Sequence, residues 1–166
     1  KEELTPLNLI QLESAKNQQE KNRLWQIRKS LSQTLRQIAP KKINEDVVVP
    51  NSKLENLIDY IDSLRQQYQD LTIIVFGHIG NGNLHVNFLY DPYIFPDSAA
   101  FKCLQLFFDK VIELGGTLSG EHGIGFDKAP YLKKAIDPQT LNLMKQIKQV
   151  FDPKGILNPG KLFNRP

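Results

Sequence analysis

Side chains able to bind a metal ion or move a proton crowd into two short stretches of this chain. All three histidines and eight of the ten glycines fall within GHIGNGNLH (residues 77–85) and GGTLSGEHGIG (residues 115–125). Imidazole ligates metals and exchanges protons near neutral pH, while glycine lets backbone turn tightly or approach a ligand closely. In the first stretch, Asn81-Gly82 lies between apolar-rich runs and predicts a two-residue type I′ hairpin turn. That turn pairs His78 directly with His85, their Cβ atoms about 5 Å apart. Alternation puts Asn87 on the face of His85 and turns Leu84, Val86 and Phe88 the other way, toward Ile73 and Val75. Two histidines so placed fit either two ligands of one ion or a cross-strand pair that only hydrogen-bonds. The second stretch sets Glu121 and His122 side by side in a glycine loop, which alone would read as a solvated turn. Taken together, two histidines and one carboxylate make an open metal set with positions left for a substrate. Neighbouring residues point in different directions, so Glu121 can ligate while His122 stays free as a base.

These residues need elements to hold them. From about Leu4 to Ile38 the pattern is helical, with Leu24, Ile27, Leu31, Leu35 and Ile38 as its apolar stripe and Arg28 on the same face. A short extended piece, Val47 to Val49, ends at Pro50. Ser52 and Glu55 then form a capping box for a helix with Leu54, Leu57, Ile58, Ile61 and Leu64 inward. Leu71 to Phe76 reads as a buried strand. Asp97 or Ser98 caps a third helix with Phe101, Leu104, Phe108, Val111 and Ile112 inward, ended by Gly115. Asp137 caps a last helix with Pro138 in first position and Leu141, Met144 and Ile147 along it, stopping before Pro153. The tail DPKGILNPGK is a string of turns. The expected fold class is α+β, an antiparallel sheet with helices packed on one face, and with so few strands visible part of that sheet is expected upstream of Lys1.

The chain has 166 residues, 40% hydrophobic and 23% charged, which suits a single soluble globular domain. Twenty-one Lys and Arg against 18 Asp and Glu give a net charge of +3. That excess is too small and scattered for a nucleic-acid surface, though it suits a small anionic ligand. A single cysteine, Cys103, excludes an internal disulfide and is expected to be an inert buried thiol. With no secretory-type leader, the chain reads as intracellular. Trp25 and Phe101 are expected in the core. Because its only methionine is Met144, a chain beginning at Lys1 is expected to be a piece of something longer.

The strings GHIGNGNLH, SGEHGIG and DPKGILNPGK, in that order and with a helix between the first two, resemble the C-terminal cap domain of FAD-linked oxidases. The likeness runs from about Leu24 to Phe163. It falls within the group of the glycolate oxidase flavoprotein subunit and the D-lactate and D-2-hydroxyglutarate dehydrogenases. The resemblance implies a ferredoxin-like cap, with residues 1–166 forming the C-terminal portion of one domain and FAD carried mainly on an N-terminal domain of the same protein. It implies that His78, His85 and Glu121 hold a divalent ion, zinc or manganese, and that His122 is the base acting on the hydroxyl of a small anionic 2-hydroxy acid. Arg28 in LWQIRKSL matches the arginine that grips the substrate carboxylate, with Asn87 and Ser32 nearby; Lys42 is a further substrate contact for which Lys41 competes. Asn158, Gly160 and Lys161 return toward the flavin. Electron-transfer subunits, a homodimer and a cytoplasmic or peripheral membrane location are compatible with the likeness. Two other readings are a self-sufficient metal hydrolase, active without flavin, and a non-catalytic metal-stabilised interaction domain. The hydrolase parts from the first in needing no flavin, and the interaction domain in that losing His122 harms nothing while losing His78 lowers stability.

Overall fold

A computed structural model describes residues 13–163, and the expected helix before residue 13 lies outside them. The chain divides into two compact units, residues 1–38 and 39–166. In the first, helix α1 spans Gln18–Thr34. Asn17 starts it: its Oδ1 accepts from Glu20 N–H at 2.9 Å while its Nδ2 donates back to the Glu20 carboxylate. This reciprocal cap satisfies a backbone donor that helix geometry leaves unpaired. A single 3₁₀ turn, Leu35–Gln37, follows. The apolar stripe is present but does not form a core within this unit. Ile27, Leu31 and Ile38 are exposed, and Trp25, expected inside, is 47% exposed. Leu35 alone of the stripe is buried, and among the described residues of this unit α1 has no second helix or sheet to close on.

The second unit is a three-stranded antiparallel sheet carrying helices. Its strands are β1 (Lys41–Val48), β2 (Thr72–His78) and β3 (Asn83–Tyr90), in spatial order β1-β3-β2. Helices α2 (Leu54–Gln67) and α3 (Asp97–Glu113) pack together over one face. Their Leu57, Ile61, Leu64, Cys103, Leu104, Phe107, Phe108 and Val111 meet Val47, Ile73, Leu84, Val86 and Phe88 of the sheet in one buried cluster. The expected α+β class with helices on one face is thus observed. Two short C-terminal helices follow, α4 (Leu132–Ala135) and α5 (Pro138–Phe151). Among the described residues no helix is long and apolar enough to cross a membrane.

Several local expectations are corrected. Strand β1 begins at Lys41, not Val47, because pairing with the central β3 overrides the polar run KKINED. Ser52 and Glu55 form no capping box; a 3₁₀ turn at Asn51–Lys53, closed by Lys53 N–H on the Pro50 carbonyl, leads into α2. Strand β2 is an edge strand and only part-buried beyond Ile73. Asp97 does not cap α3. It is the first helical residue, and its carboxylate meets Lys41 Nζ at 2.6 Å and the Tyr90 hydroxyl at 2.9 Å. On α3 the buried stripe includes Phe107 and Cys103, leaving Phe101 54% exposed instead of in the core. Along α5, Leu141 is buried while Ile147 is exposed. Asp137 does cap α5, its Oδ1 accepting from the N–H groups of Gln139 and Thr140, with Pro138 first in the helix. Cys103 is fully buried, and burial pushes its thiol up to about 12.

Candidate functional site

Sheet register decides where the histidines meet. The expected two-residue turn is replaced by a four-residue connection, a 3₁₀ turn over Ile79–Asn81 closed by Gly82 at φ +73°. Neighbouring residues draw it into that shape: Val49 N–H donates to the Gly82 carbonyl at 3.1 Å, and the Asn51 side-chain Nδ2 to the Gly80 carbonyl at 3.0 Å. His78 therefore pairs with Asn83, and His85 with Phe76. The shift is by two residues, so both imidazoles keep to the face opposite the core. As diagonal neighbours they approach edge to face, ring centroids 5.5 Å apart.

The second glycine stretch comes to the same place from α3. Helix α3 ends at Gly115 (φ +75°), after which Thr117 makes a two-bond bridge with Val48, its carbonyl accepting from Val48 N–H at 3.2 Å and its own N–H donating to the Val48 carbonyl at 2.8 Å. Beyond that bridge the backbone of Gly120, Glu121 and His122 folds over Asp46, whose Oδ2 accepts all three N–H groups at 2.8, 2.6 and 2.9 Å. Gly120 is required there, since a Cβ would collide with the Asn83 side-chain amide and press on Asp46. Glu121 Oε1 then lies 3.4 Å from His85 Nε2 and 3.9 Å from His78 Nε2. His122 stacks on the other side of His85, centroids 5.3 Å apart and planes 18° from parallel.

Three of the expected ligands and the expected base are thus within one small space. The ligand atoms of His78, His85 and Glu121 lie within 4.8 Å of one another, as do those of a second group, Asp46, His85 and His122. Two imidazoles and a carboxylate are a fitting donor set for zinc or manganese. His85 Nδ1 is buried without a hydrogen-bond partner, 3.6 Å from Asp46 Oδ1. Burial holds the His85 imidazole below its ordinary value against the pull of the Asp46 and Glu121 carboxylates. It is therefore favoured in the neutral form that ligates.

Other expected residues are placed differently. Asn87 shares the face of His85 but is fully buried, its amide spent on Asn44 Nδ2, the Ile74 carbonyl and the His85 carbonyl. Lys42 lies on β1 opposite Leu89, while Lys41 is committed to Asp97. Arg28 and Ser32 lie on α1 in the first unit, where the Arg28 guanidinium stands 5.3 Å from the Trp25 ring centre. In the tail, Asn158 (φ 47°) and Gly160 (φ 78°) shape a turn in which Lys161 Nζ donates to Asn158 Oδ1 at 3.3 Å. Leu162 N–H then bonds the Gly125 carbonyl at 3.0 Å, fastening the tail to the second glycine stretch.

Sequence reading missed the supports. Burial pushes the Asp46 carboxyl up, but the N–H groups of Glu121 and His122 and the amide of Asn83 outweigh it and hold the group well below the carboxylate range. Next to it, Glu45 points into the opposite face and pairs with buried Lys128 at 3.1 Å. Lys128 Nζ also donates to the Asp46 carbonyl at 3.0 Å and the Leu118 carbonyl at 2.7 Å, so β1 grips the loop from both sides. The available signal was EDVVVP: two acids entering an apolar run that must alternate faces, so one of them faces the core.

Comparison with known proteins gives the family. Residues 3–162 match the model of the family described as FAD linked oxidases, C-terminal domain. The chain is 39% identical over 157 residues to the glycolate oxidase subunit GlcD of Bacillus subtilis (strain 168), covering 93% of this chain and 33% of that protein. It is 37% identical over 153 residues to the D-2-hydroxyglutarate dehydrogenase of Stutzerimonas stutzeri (strain A1501), covering 90% and 32%. With the D-lactate dehydrogenase of Anaerostipes hadrus it shares 42% over 122 residues, covering 70% and 25%. The chain spans a third or less of the length of these relatives. The match runs over nearly the whole chain, both glycine stretches included, and the chain belongs to the family of FAD-linked oxidase C-terminal domains.

Proposed function

We propose that this chain is the substrate- and metal-binding part of a flavin-dependent 2-hydroxy-acid dehydrogenase or oxidase, of the glycolate or D-lactate type. The convergence of His78 Nε2 and His85 Nε2 on one oxygen of Glu121, with His122 stacked alongside, carries this reading. The names of the relatives support the substrate class, since glycolate, D-lactate and D-2-hydroxyglutarate all bear a hydroxyl on the carbon beside a carboxylate. His78, His85 and Glu121 would hold the divalent ion.

When bound, that ion would supply a Lewis acid at the substrate hydroxyl, and FAD the acceptor for the hydride. The remaining work falls to side chains. His122 is exposed, and its imidazole is free to accept the hydroxyl proton. Arg28, with Ser32 and Lys42, would bind the substrate carboxylate, the guanidinium as a bidentate fork. Asn87 would act from beneath, holding β3 under His85 through the carbonyl it bonds. Asn158, Gly160 and Lys161 would face the flavin.

The test is metal content. After dialysis against Zn(II) and then against buffer, the chain is expected to retain about one ion, and a His78→Ala variant little. Absence of zinc from the unaltered chain would sink the ligand assignment.

A further inference from the structure

Asp46 was assigned no role by the likeness, yet the backbone of Glu121 and His122 and the ring of His85 all lie against it. It is fully buried on β1. Its Oδ2 takes the N–H groups of Gly120, Glu121 and His122 and lies 3.3 Å from the Ser119 hydroxyl. Its Oδ1 accepts from Asn83 Nδ2 at 2.6 Å and lies 3.6 Å from His85 Nδ1, beyond a hydrogen bond but facing that orphaned atom. Three successive N–H groups around one oxygen form a nest, an arrangement that favours a negative charge at its centre.

Two donor triads share His85, one with Asp46 and His122, the other with His78 and Glu121. Acceptor capacity decides between them. A carboxylate has roughly four lone-pair sites, and five donors already surround Asp46. An ion at Asp46 Oδ1 would compete with the Asn83 Nδ2 bond at 2.6 Å, and one at Oδ2 would have to strip backbone N–H groups from a buried oxygen, so either position leaves a buried donor unsatisfied. No such competition exists at Glu121 Oε1, whose neighbours are the two histidine nitrogens.

We propose that Asp46 is a positioning residue. Its Oδ2 fixes the backbone of Glu121 and His122, and its Oδ1 faces Nδ1 of His85 so that Nε2 is the nitrogen presented to Glu121. One buried carboxylate thereby sets the ligand, the base and the imidazole edge that ligates. This rests on the reading of His78, His85 and Glu121 as the ligand set. Outer-shell carboxylates of this kind orient ligating histidines, and their loss typically costs about 10- to 100-fold in metal affinity.

The experiment compares the chain with Asp46→Ala and Asp46→Asn variants by amide hydrogen exchange, zinc titration calorimetry and nitrogen NMR of His85. In Asp46→Ala the amides of Gly120, Glu121 and His122 are expected to lose about tenfold or more of their protection, while Val86 and Phe88 of β3 keep theirs. Asp46→Asn keeps one acceptor oxygen and the side-chain shape, and serves if the alanine variant fails to fold. It is expected to keep part of that amide protection but to bind Zn(II) about tenfold or more weakly. In the zinc-loaded unaltered chain, His85 is expected to carry its proton on Nδ1 and the metal on Nε2. Unchanged protection at residues 120–122 in the variants, unchanged zinc affinity, or zinc on Nδ1 would overturn the proposal. Should the unaltered chain bind no zinc, the ligand reading fails, and the exchange of the three amides alone decides the role of Asp46.

Discussion

At the level of single residues, the proposed division of labour depends on Glu121 and His122 being neighbours in a loop. Adjacent loop residues under a common backbone anchor send one side chain toward the histidine pair and stack the other on His85 from a second direction. His122 carries little of the fold, since its side chain is exposed and its backbone contact survives substitution. Under the proposed function, His122→Gln in the full-length protein is therefore expected to cut kcat by about 10²- to 10⁴-fold, the usual worth of a positioned base. In the chain itself the same change is expected to move stability by no more than about 0.5 kcal/mol. Steady-state kinetics and urea unfolding check the two halves, and unchanged turnover would remove His122 from the chemistry. The histidines were legible because histidine is scarce and glycine stretches advertise close approach. Asp46 and Lys128 were not, because charged residues read as surface until a sheet puts them against backbone donors and carbonyls that a sequence does not display.

Among the elements, the hairpin shows what periodicity can and cannot fix. Alternation along β2 and β3 settles which side chains share a face, and any even shift of register preserves it. The partner of each residue depends on the turn, and here Val49 and Asn51 reshape it from outside the hairpin. Faces were therefore readable while pairings were not. Strand β1 was the least readable element. Its Lys41, Asp46 and Glu45 look solvated, yet Glu45 and Asp46 are buried because the loop over residues 117–128 closes on them. The Glu45–Lys128 pair is the inner fastening of that loop. Burial raises the Glu45 carboxyl, with Lys128 opposing, so the pair is favourable only as a pair. Lys128→Met is expected to leave a buried carboxylate and two backbone carbonyls uncompensated, at a cost of about 3–5 kcal/mol by urea unfolding. A double Glu45→Gln, Lys128→Met variant should recover part of that loss. A loss below about 1 kcal/mol for the single variant would mean that the site loop is held mainly by Asp46 and the Val48–Thr117 bridge.

For the molecule as a whole, sequence patterning located the core of the second unit but not the fate of amphipathic faces. Ile27, Leu31 and Ile38 of the first unit and the outer side of α5, including Ile147, Val150 and Phe151, carry the periodicity of buried helices and are exposed. Periodicity records that a face is apolar, and only the assembled structure records what covers it. Charge, in contrast, acts on overall stability with a sign that can be worked out. Lys41, with the Tyr90 hydroxyl, holds Asp97 below its ordinary value, and Thr140, with Gln139 N–H, does so for Asp137. Lys148, with Leu157 and Ile156 N–H, does the same for Asp152. A carboxyl with a lowered folded value binds fewer protons folded than unfolded, so its contribution is complete above the unfolded value of 3.8 and is lost as pH falls through the folded one. Glu45 runs the opposite way: its raised value favours the folded state below 4.5, and that contribution fades as pH rises. With Asp46, whose carboxyl is also lowered, four groups against one predict that the urea midpoint falls as pH drops from about 4 to about 2, and that it declines slightly above that range as Glu45 deprotonates. Replacing Asp97, Asp137 and Asp152 together by asparagine should flatten the acid limb while leaving the slope contributed by Asp46. An acid limb as steep as before would mean that these three carboxyls ionise in the folded chain as they do in the unfolded one.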